Sequence, residues 1–224
     1  MEYRYELKFL LTATQLHTLL MDIRLHPLHF QAHYPERVVN SLYFDTLDFD
    51  CYRDNLTGLS KRSKVRYRWY GSHFLNKEGQ LQVKTKSNYL GSKLIFRAKQ
   101  EFYNKNDSWR TITRNLQKVI EPQAKKWLEI YYFPTLINSY YRKYYIDLEH
   151  KIRITVDHKQ TMYEQVSRST PNTLTKLNIP NIVIMEVKFA KNSYETVSQM
   201  LKKFNVRLTR YSKYAHAISH FVEF

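Results

Sequence analysis

The sequence predicts an α+β fold, a closed eight-stranded antiparallel β-barrel with peripheral helices. Three observations carry this. Period-2 alternation of apolar and polar residues recurs in eight segments. Tyr and Phe are abundant, 19 and 12, against only 4 Gly, which suits strands with broad packed faces and leaves no material for glycine-rich phosphate loops. Eight strands would also present open edges, and closure removes them. A chain of 224 residues can bury about 70% of its unfolded surface. It carries no linker tract, repeat or low-complexity segment, so residues 1–224 read as one domain.

The strands expected from alternation are Tyr3–Phe9, Arg37–Phe44, Lys64–Tyr70, Leu81–Lys86, Lys93–Lys99, Ser139–Asp147, Lys151–Asp157 and Ile182–Phe189. Helical spacing appears at Leu16, Leu19, Leu20 and Ile23 after Thr12 or Thr14 as N-cap, and at Val197, Met200, Leu201 and Phe204 after Ser193. Shorter helices are expected at Leu47–Leu56, within Leu116–Ile130 and at Tyr214–Phe221.

The 36 Lys and Arg exceed the 20 Asp and Glu by 16, which implies a polyanionic partner. The opening MEYRYELKFL has no apolar secretory region, and no apolar run is long enough to span a bilayer, so a cytoplasmic location is expected. The lone Cys51 excludes an intrachain disulfide and reads as a small packed hydrophobe. His26 with His29, and His216 with His220, lack a neighbouring ligand set and read as packing or surface residues rather than a zinc site.

The alternation itself carries the chemistry. In Lys64-Val65-Arg66-Tyr67-Arg68-Trp69, the three cations share one face and the apolar residues the other. The same holds for Glu6 and Lys8 against Tyr5, Leu7 and Phe9, and for Gln82, Lys84 and Lys86 against Leu81, Val83 and Thr85. It holds again for Lys151, Arg153, Thr155 and Asp157 against Ile152, Ile154 and Val156, and for Glu186 and Lys188 against Met185, Val187 and Phe189. One such strand alone reads as a half-buried strand with a solvated side. Repeated with cations dominant, the pattern predicts a barrel whose charged faces point inward and whose apolar faces lie under the helices. Like charges about 8 Å apart repel by roughly 2 kcal/mol at an effective dielectric near 20, and a bound oligophosphate relieves this. Glu6 and Glu186 are then the natural holders of a divalent cation, Mn or Mg. The cluster Ser60–Lys64 reads as a solvated turn, a polyanion entry rim or a nucleic-acid contact, and Tyr140–Tyr145 as barrel wall rather than a base-stacking platform.

These residues resemble the polyphosphate polymerase domain of the vacuolar transporter chaperone (VTC) family, within the triphosphate tunnel metalloenzyme (CYTH-like) superfamily. The matching segments are Arg4–Phe9, Val39–Thr46, Lys64–Arg68, Tyr140–Arg142, Arg153–Asp157, Met185–Phe189 and Ser212–Tyr214, in family order. The resemblance implies an eight-stranded tunnel that binds ATP or another nucleoside triphosphate and passes its terminal phosphoryl group to a growing polyphosphate chain with Mn or Mg. It implies phosphate binding by Lys8, Arg66, Arg68, Lys84, Arg142, Arg153, Lys188 and Lys213, and metal binding by Glu186. Lys8, Arg66, Arg68 and Lys213 are the catalytic candidates. Lys64 and Lys86 join the phosphate-binding set by their strand faces, and Glu6 joins the metal set. Gln82 stands where many tunnel enzymes carry Glu, which weakens a second metal carboxylate on that strand. Eukaryotic members include an inositol-phosphate sensor domain and membrane spans, and this chain resembles the catalytic domain alone. The sequence leaves a membrane-protein partner open, and a nucleic-acid partner is not expected. Two other readings stand beside the polymerase: a tripolyphosphatase or nucleoside triphosphatase of the same fold, and a non-enzymatic module that binds polyanions.

Overall fold

The computed structural model describes residues 4–72, 74–75, 78–87, 90–104 and 106–222. The strands are β1 (Arg4–Thr12), β2 (Gln31–Asp45), β3 (Lys61–Tyr70), β4 (Gln80–Ser87), β5 (Leu90–Arg97), β6 (Phe133–Ile146), β7 (Ile152–Glu164) and β8 (Ile182–Ala190). The helices are α1 (Leu16–Arg24), α2 (Asp50–Leu56), α3 (Trp109–Val119), α4 (Pro122–Ile130), α5 (Tyr194–Leu201) and α6 (Lys213–Ile218). None is long and apolar enough to cross a membrane among the described residues.

The strands form one antiparallel sheet in the order β1-β8-β7-β6-β2-β3-β4-β5. The expected barrel closure is not found: among the described residues β1 and β5 are the ends of the order and do not pair with each other. Residues 208 and 209 of the same chain occupy part of the outer edge of β1. Phe9 bridges to Leu208, and the Thr209 amide donates to the Lys8 carbonyl at 2.9 Å. Those backbone groups are thereby satisfied without a closing strand.

The chain divides into two compact units. The first comprises Met1–Val38, Tyr140–Gln160 and Pro180–Tyr211, and the second Val39–Ser139, Thr161–Ile179 and Ser212–Phe224. In the first, the apolar sides of β1 (Phe9, Leu11), β7 (Ile152, Ile154, Val156) and β8 (Val183, Met185, Val187, Phe189) bury against Leu19 and Ile23 of α1 and Val197 and Met200 of α5. In the second, Val65, Tyr67 and Trp69 of β3 and Leu81 and Val83 of β4 bury against Ile112, Leu116 and Val119 of α3 and Ala124 and Leu128 of α4. A separate cluster joins Tyr43 and Cys51 to Tyr214, Ala217 and Ile218 of α6. The apolar faces expected from alternation bury on β3, β7 and β8, whereas Tyr5 at the start of β1 is exposed.

Three differences from the sequence reading have physical causes. The single helix expected within residues 116–130 is two. Ser108 caps α3, its side chain accepting from the Thr111 amide, and the residue before Pro122 is extended (ψ 143°), as a following proline requires. β6 begins at Phe133 and β2 at Gln31, because Phe133–Asn138 is buried almost throughout and residues 31–37 are mostly exposed, so neither stretch alternates. The first expected strand begins at Tyr3, which lies outside the described residues.

Candidate functional site

In the first unit, the registers of β1, β8 and β7 set polar residues in rows across one face of the sheet. Glu6 lies opposite Lys188, which lies opposite Arg153, while Lys8 lies opposite Glu186, which lies opposite Thr155. This juxtaposition follows from strand pairing with period-2 side chains. The Lys8 ammonium lies 3.2 Å from Glu6 and 3.7 Å from Glu186, and that of Lys188 lies 3.5 Å and 3.7 Å from the same two carboxylates. Lys8 also donates to the Tyr211 carbonyl at 3.4 Å.

Arg142 on β6 joins this group. Its Nη2 donates to Asp157 Oδ2 at 2.7 Å and lies 3.6 Å from Glu186. Its Nε bonds the other Asp157 oxygen, making a two-point pair with a carboxylate that is fully buried. Burial disfavours the guanidinium charge, but Tyr140, Asp157 and Glu186 outweigh it and raise the Arg142 pKa. Three carboxylates (Glu6, Asp157, Glu186) thus interleave with three cations (Lys8, Arg142, Lys188). Arg153 is exposed at the end of its row.

Glu186 is nearly buried and Glu6 is open to solvent, and both offer hard oxygen ligands beside the same two lysines. No group of three or more His, Cys, Asp or Glu side chains suited to a metal occurs among the described residues. Two carboxylates beside one another are within what an ion of the Mg or Mn type takes from a protein, its remaining positions being filled by water and phosphate oxygens.

The second unit holds a different set. Lys64, Arg66 and Arg68 alternate along β3, each with a polar neighbour. Lys64 donates to Ser212 Oγ at 2.8 Å, and Arg68 to Ser41 Oγ at 3.3 Å. Arg66 donates to Gln82 Oε1 from both Nε (3.2 Å) and Nη2 (2.9 Å), and its Nη1 lies 3.5 Å from Tyr43 Oη. Gln82 thus clamps Arg66 as a neutral acceptor. Lys84 pairs in register with Lys64 and with Lys93 of β5, and Lys86 with Arg62; Lys84 and Lys86 are exposed.

Lys213 opens α6, and its successor Tyr214 stacks on Tyr43 with ring centroids 5.0 Å apart. The Tyr214 hydroxyl donates to Asp45 Oδ2 at 2.5 Å. Asp45 also accepts from the amides of Thr46 (2.8 Å), Cys51 (2.8 Å) and Tyr52 (3.2 Å), so it satisfies the first turn of α2. Burial nonetheless pushes the Asp45 carboxyl upward against those bonds. The pKa of Tyr43 moves the other way. Burial alone would raise that phenol, yet Arg66, Lys64, Arg68 and Lys213 bring it down to about 8.

Each unit therefore collects its own share of the residues named from the sequence: Glu6, Lys8, Arg142, Glu186 and Lys188 in the first, Lys64, Arg66, Arg68 and Lys213 in the second. Tyr43, Asp45, Asp157 and Tyr214 escaped notice as site residues. Asp157 alternates with Arg153 and Thr155, so its face was legible but its partner on β6 was not. His26 stacks on Phe204 at 5.4 Å, and the His216 and His220 rings meet at 4.9 Å. Cys51 is buried, and its thiol pKa is pushed up by that burial and by Asp45.

The VTC domain model matches residues 3–222. None of the curated proteins matches the sequence. Among solved structures, PH1819 from Pyrococcus horikoshii OT3 is similar at a TM-score of 0.50 and 12% identity, covering 97% of this chain and 99% of that one. HpAC1 from Hippeastrum, whose description gives it a dominant triphosphatase activity, is similar at a TM-score of 0.51 and 17% identity, covering 98% and 96%. At these identities the likeness is one of fold.

Proposed function

The chain belongs to the VTC-domain family, and on that premise we propose that it is a metal-dependent polyphosphate polymerase. In this reaction the bond between the terminal phosphorus of ATP and its bridging oxygen breaks, ADP leaves, and a terminal oxygen of a polyphosphate chain forms the new P–O–P link. Family membership supports the broader statement that the chain is an enzyme of a triphosphate-handling fold.

The observation that carries the reading is the set of cations gathered beside buried Tyr43. Lys64, Arg66 and Arg68 share one face of β3, and Arg66, itself nearly buried, reaches to 3.5 Å from the Tyr43 oxygen; with Lys213 they draw the phenol pKa down to about 8 against the effect of burial. Oligophosphate suits such a place, because guanidinium forks match pairs of phosphate oxygens while ammoniums act as point charges. We assign phosphate binding to Lys64, Arg66, Arg68, Lys84, Lys86 and Lys213 in the second unit, and to Lys8, Arg142, Arg153 and Lys188 in the first. Lys8, Arg66, Arg68 and Lys213 stabilise charge developing on the transferred group and the bridging oxygen. Glu186, with Glu6, holds the Mg or Mn ion, which when bound orients phosphates and offsets their charge. The protein contributes positioning and electrostatics, with no covalent nucleophile.

A second reading has one specific support. The Hippeastrum neighbour is described as having a dominant triphosphatase activity, and the same cations would serve a reaction in which water replaces the chain-end phosphate. Incubation of the purified protein with ATP and Mn or Mg separates the two. Polymer sensitive to exopolyphosphatase is expected on a gel, whereas release of free phosphate alone establishes the hydrolase, and no turnover with either metal removes both.

A further inference from the structure

The Tyr43 hydroxyl sits where an incoming phosphate would meet Arg66. Tyr43 on β2 lies opposite Arg66 on β3, whose Nη1 reaches to 3.5 Å from Tyr43 Oη. Lys64 and Arg68 flank Arg66 on the same face of that strand, and Lys213 approaches from α6. The other charged or titratable neighbours are engaged elsewhere. Asp45, two positions along β2, is held by Tyr214 and three amides; the Tyr214 hydroxyl, stacked beside Tyr43, is given to Asp45. Thr135 on β6 donates to the Tyr43 carbonyl rather than to its ring hydroxyl. On α2, Cys51 and Tyr52 lie in the same apolar cluster. The ring is thus fixed by stacking and backbone, with its oxygen directed among the cations.

We infer that Tyr43 is a positioning residue for the phosphate bound by Arg66, and that anion binding there is coupled to uptake of one proton by the Tyr43 oxygen. The inference rests on the triphosphate reading. As a phenolate, Tyr43 is the cation cluster's own counter-anion, paired with Arg66. A phosphate oxygen arriving at Arg66 places a second negative charge beside it, and like charges at that distance cannot both persist cheaply. The phenolate takes a proton from solvent, an O–H bond forms, and the neutral phenol donates a hydrogen bond to the phosphate while Arg66 Nη1 passes its bond from the Tyr43 oxygen to the anion. Above about 8, where Tyr43 is ionised, one proton enters for each anion bound. Below about 8 the phenol is already protonated and no proton moves. Above it, each pH unit weakens binding up to about tenfold, by linkage.

The test is an alkaline titration of tyrosinate absorbance on the full chain, with inorganic tripolyphosphate as the probe and calorimetry at pH 7 to establish that it binds. In the wild type, one tyrosine should titrate near 8, below the ordinary range near 10, and saturating tripolyphosphate should raise its midpoint by a pH unit or more. The early transition should vanish in Tyr43→Phe; because the wild-type shift is read directly, the result stands even if that variant folds poorly. An early transition that stays in place with tripolyphosphate bound overturns the inference alone, as does its absence from the wild type. Absence of tripolyphosphate binding at pH 7 overturns the triphosphate reading, and this inference falls with it.

Discussion

At the scale of single residues, the second unit is tuned by Gln82. Because its amide oxygen accepts two hydrogen bonds from Arg66 without adding charge, it fixes the guanidinium while leaving the positive field intact. Gln82→Glu keeps the geometry and supplies a negative charge, so tripolyphosphate should bind at least tenfold more weakly, measurable by calorimetry at constant salt. Equal affinity in the two proteins would show that Arg66 is not an anion contact. Gly79 makes a second single-residue prediction: a Cβ there would lie 2.5 Å from Tyr67 Cε1, and Tyr67 is fully buried. Gly79→Ala should therefore cost about 1–3 kcal/mol, read as a lower denaturant midpoint with unchanged slope.

At the scale of elements, β3 divides its labour by face. Val65, Tyr67 and Trp69 hold the strand to the core, while Lys64, Arg66 and Arg68 alternate with them on the other face. Removing a cation from that face should leave stability nearly unchanged. Arg66→Ala and Arg68→Ala are expected to abolish turnover with melting temperatures within a few degrees of wild type, and Lys at either position to restore part of the activity, since charge returns without the two-point fork. Wild-type activity in both Ala variants would detach β3 from the chemistry. β7 behaves oppositely, because Asp157 is fully buried against Arg142. Asp157→Ala leaves a guanidinium with 11% side-chain exposure short of its closest carboxylate and should cost about 3–5 kcal/mol, seen in chemical denaturation.

At the scale of the whole molecule, net charge and ligand charge act together. The formal +16 opposes compaction, and a small polyanion that binds only the folded chain reverses part of that. Tripolyphosphate at about 100 times its dissociation constant should add roughly 2.7 kcal/mol, with the gain shrinking as salt rises. Duplex DNA should stabilise far less, because Arg66 and Arg142 are nearly buried and a wide, stiff duplex reaches exposed charge only; equal stabilisation by both would favour a nucleic-acid module. Stability should also depend on pH through Tyr43. Its folded pKa is depressed to about 8 from about 10 unfolded, so between those values the unfolded chain holds the proton and the folded chain does not. Stability from this group therefore rises with pH across the window, by on the order of 1–3 kcal/mol, and is lost as pH falls through 8. The wild type should gain that much over Tyr43→Phe between pH 8 and 10 in matched denaturation curves.

The sequence by itself determined which residues share a strand face, because side chains alternate with a period of two whatever the strand later pairs with. That placed Lys64, Arg66 and Arg68 together, Glu6 with Lys8 and Glu186 with Lys188, and it marked Val65, Tyr67, Ile154 and Val187 as core. It failed where alternation is absent, at the exposed start of β2 and the buried start of β6, and apolar spacing within residues 116–130 did not show that one helix ends and another begins at Pro122. Tertiary structure alone decided the partners. Register put Lys8 opposite Glu186 and Tyr43 opposite Arg66, and packing brought Asp157 to Arg142 and Tyr214 to Asp45. It also decided that, among the described residues, β1 and β5 do not pair with each other, because pairing across a sheet depends on backbone geometry accumulated over many residues, which no local pattern records. The charge on each face was written in the chain; which charges are balanced within the protein was settled only when the strands met.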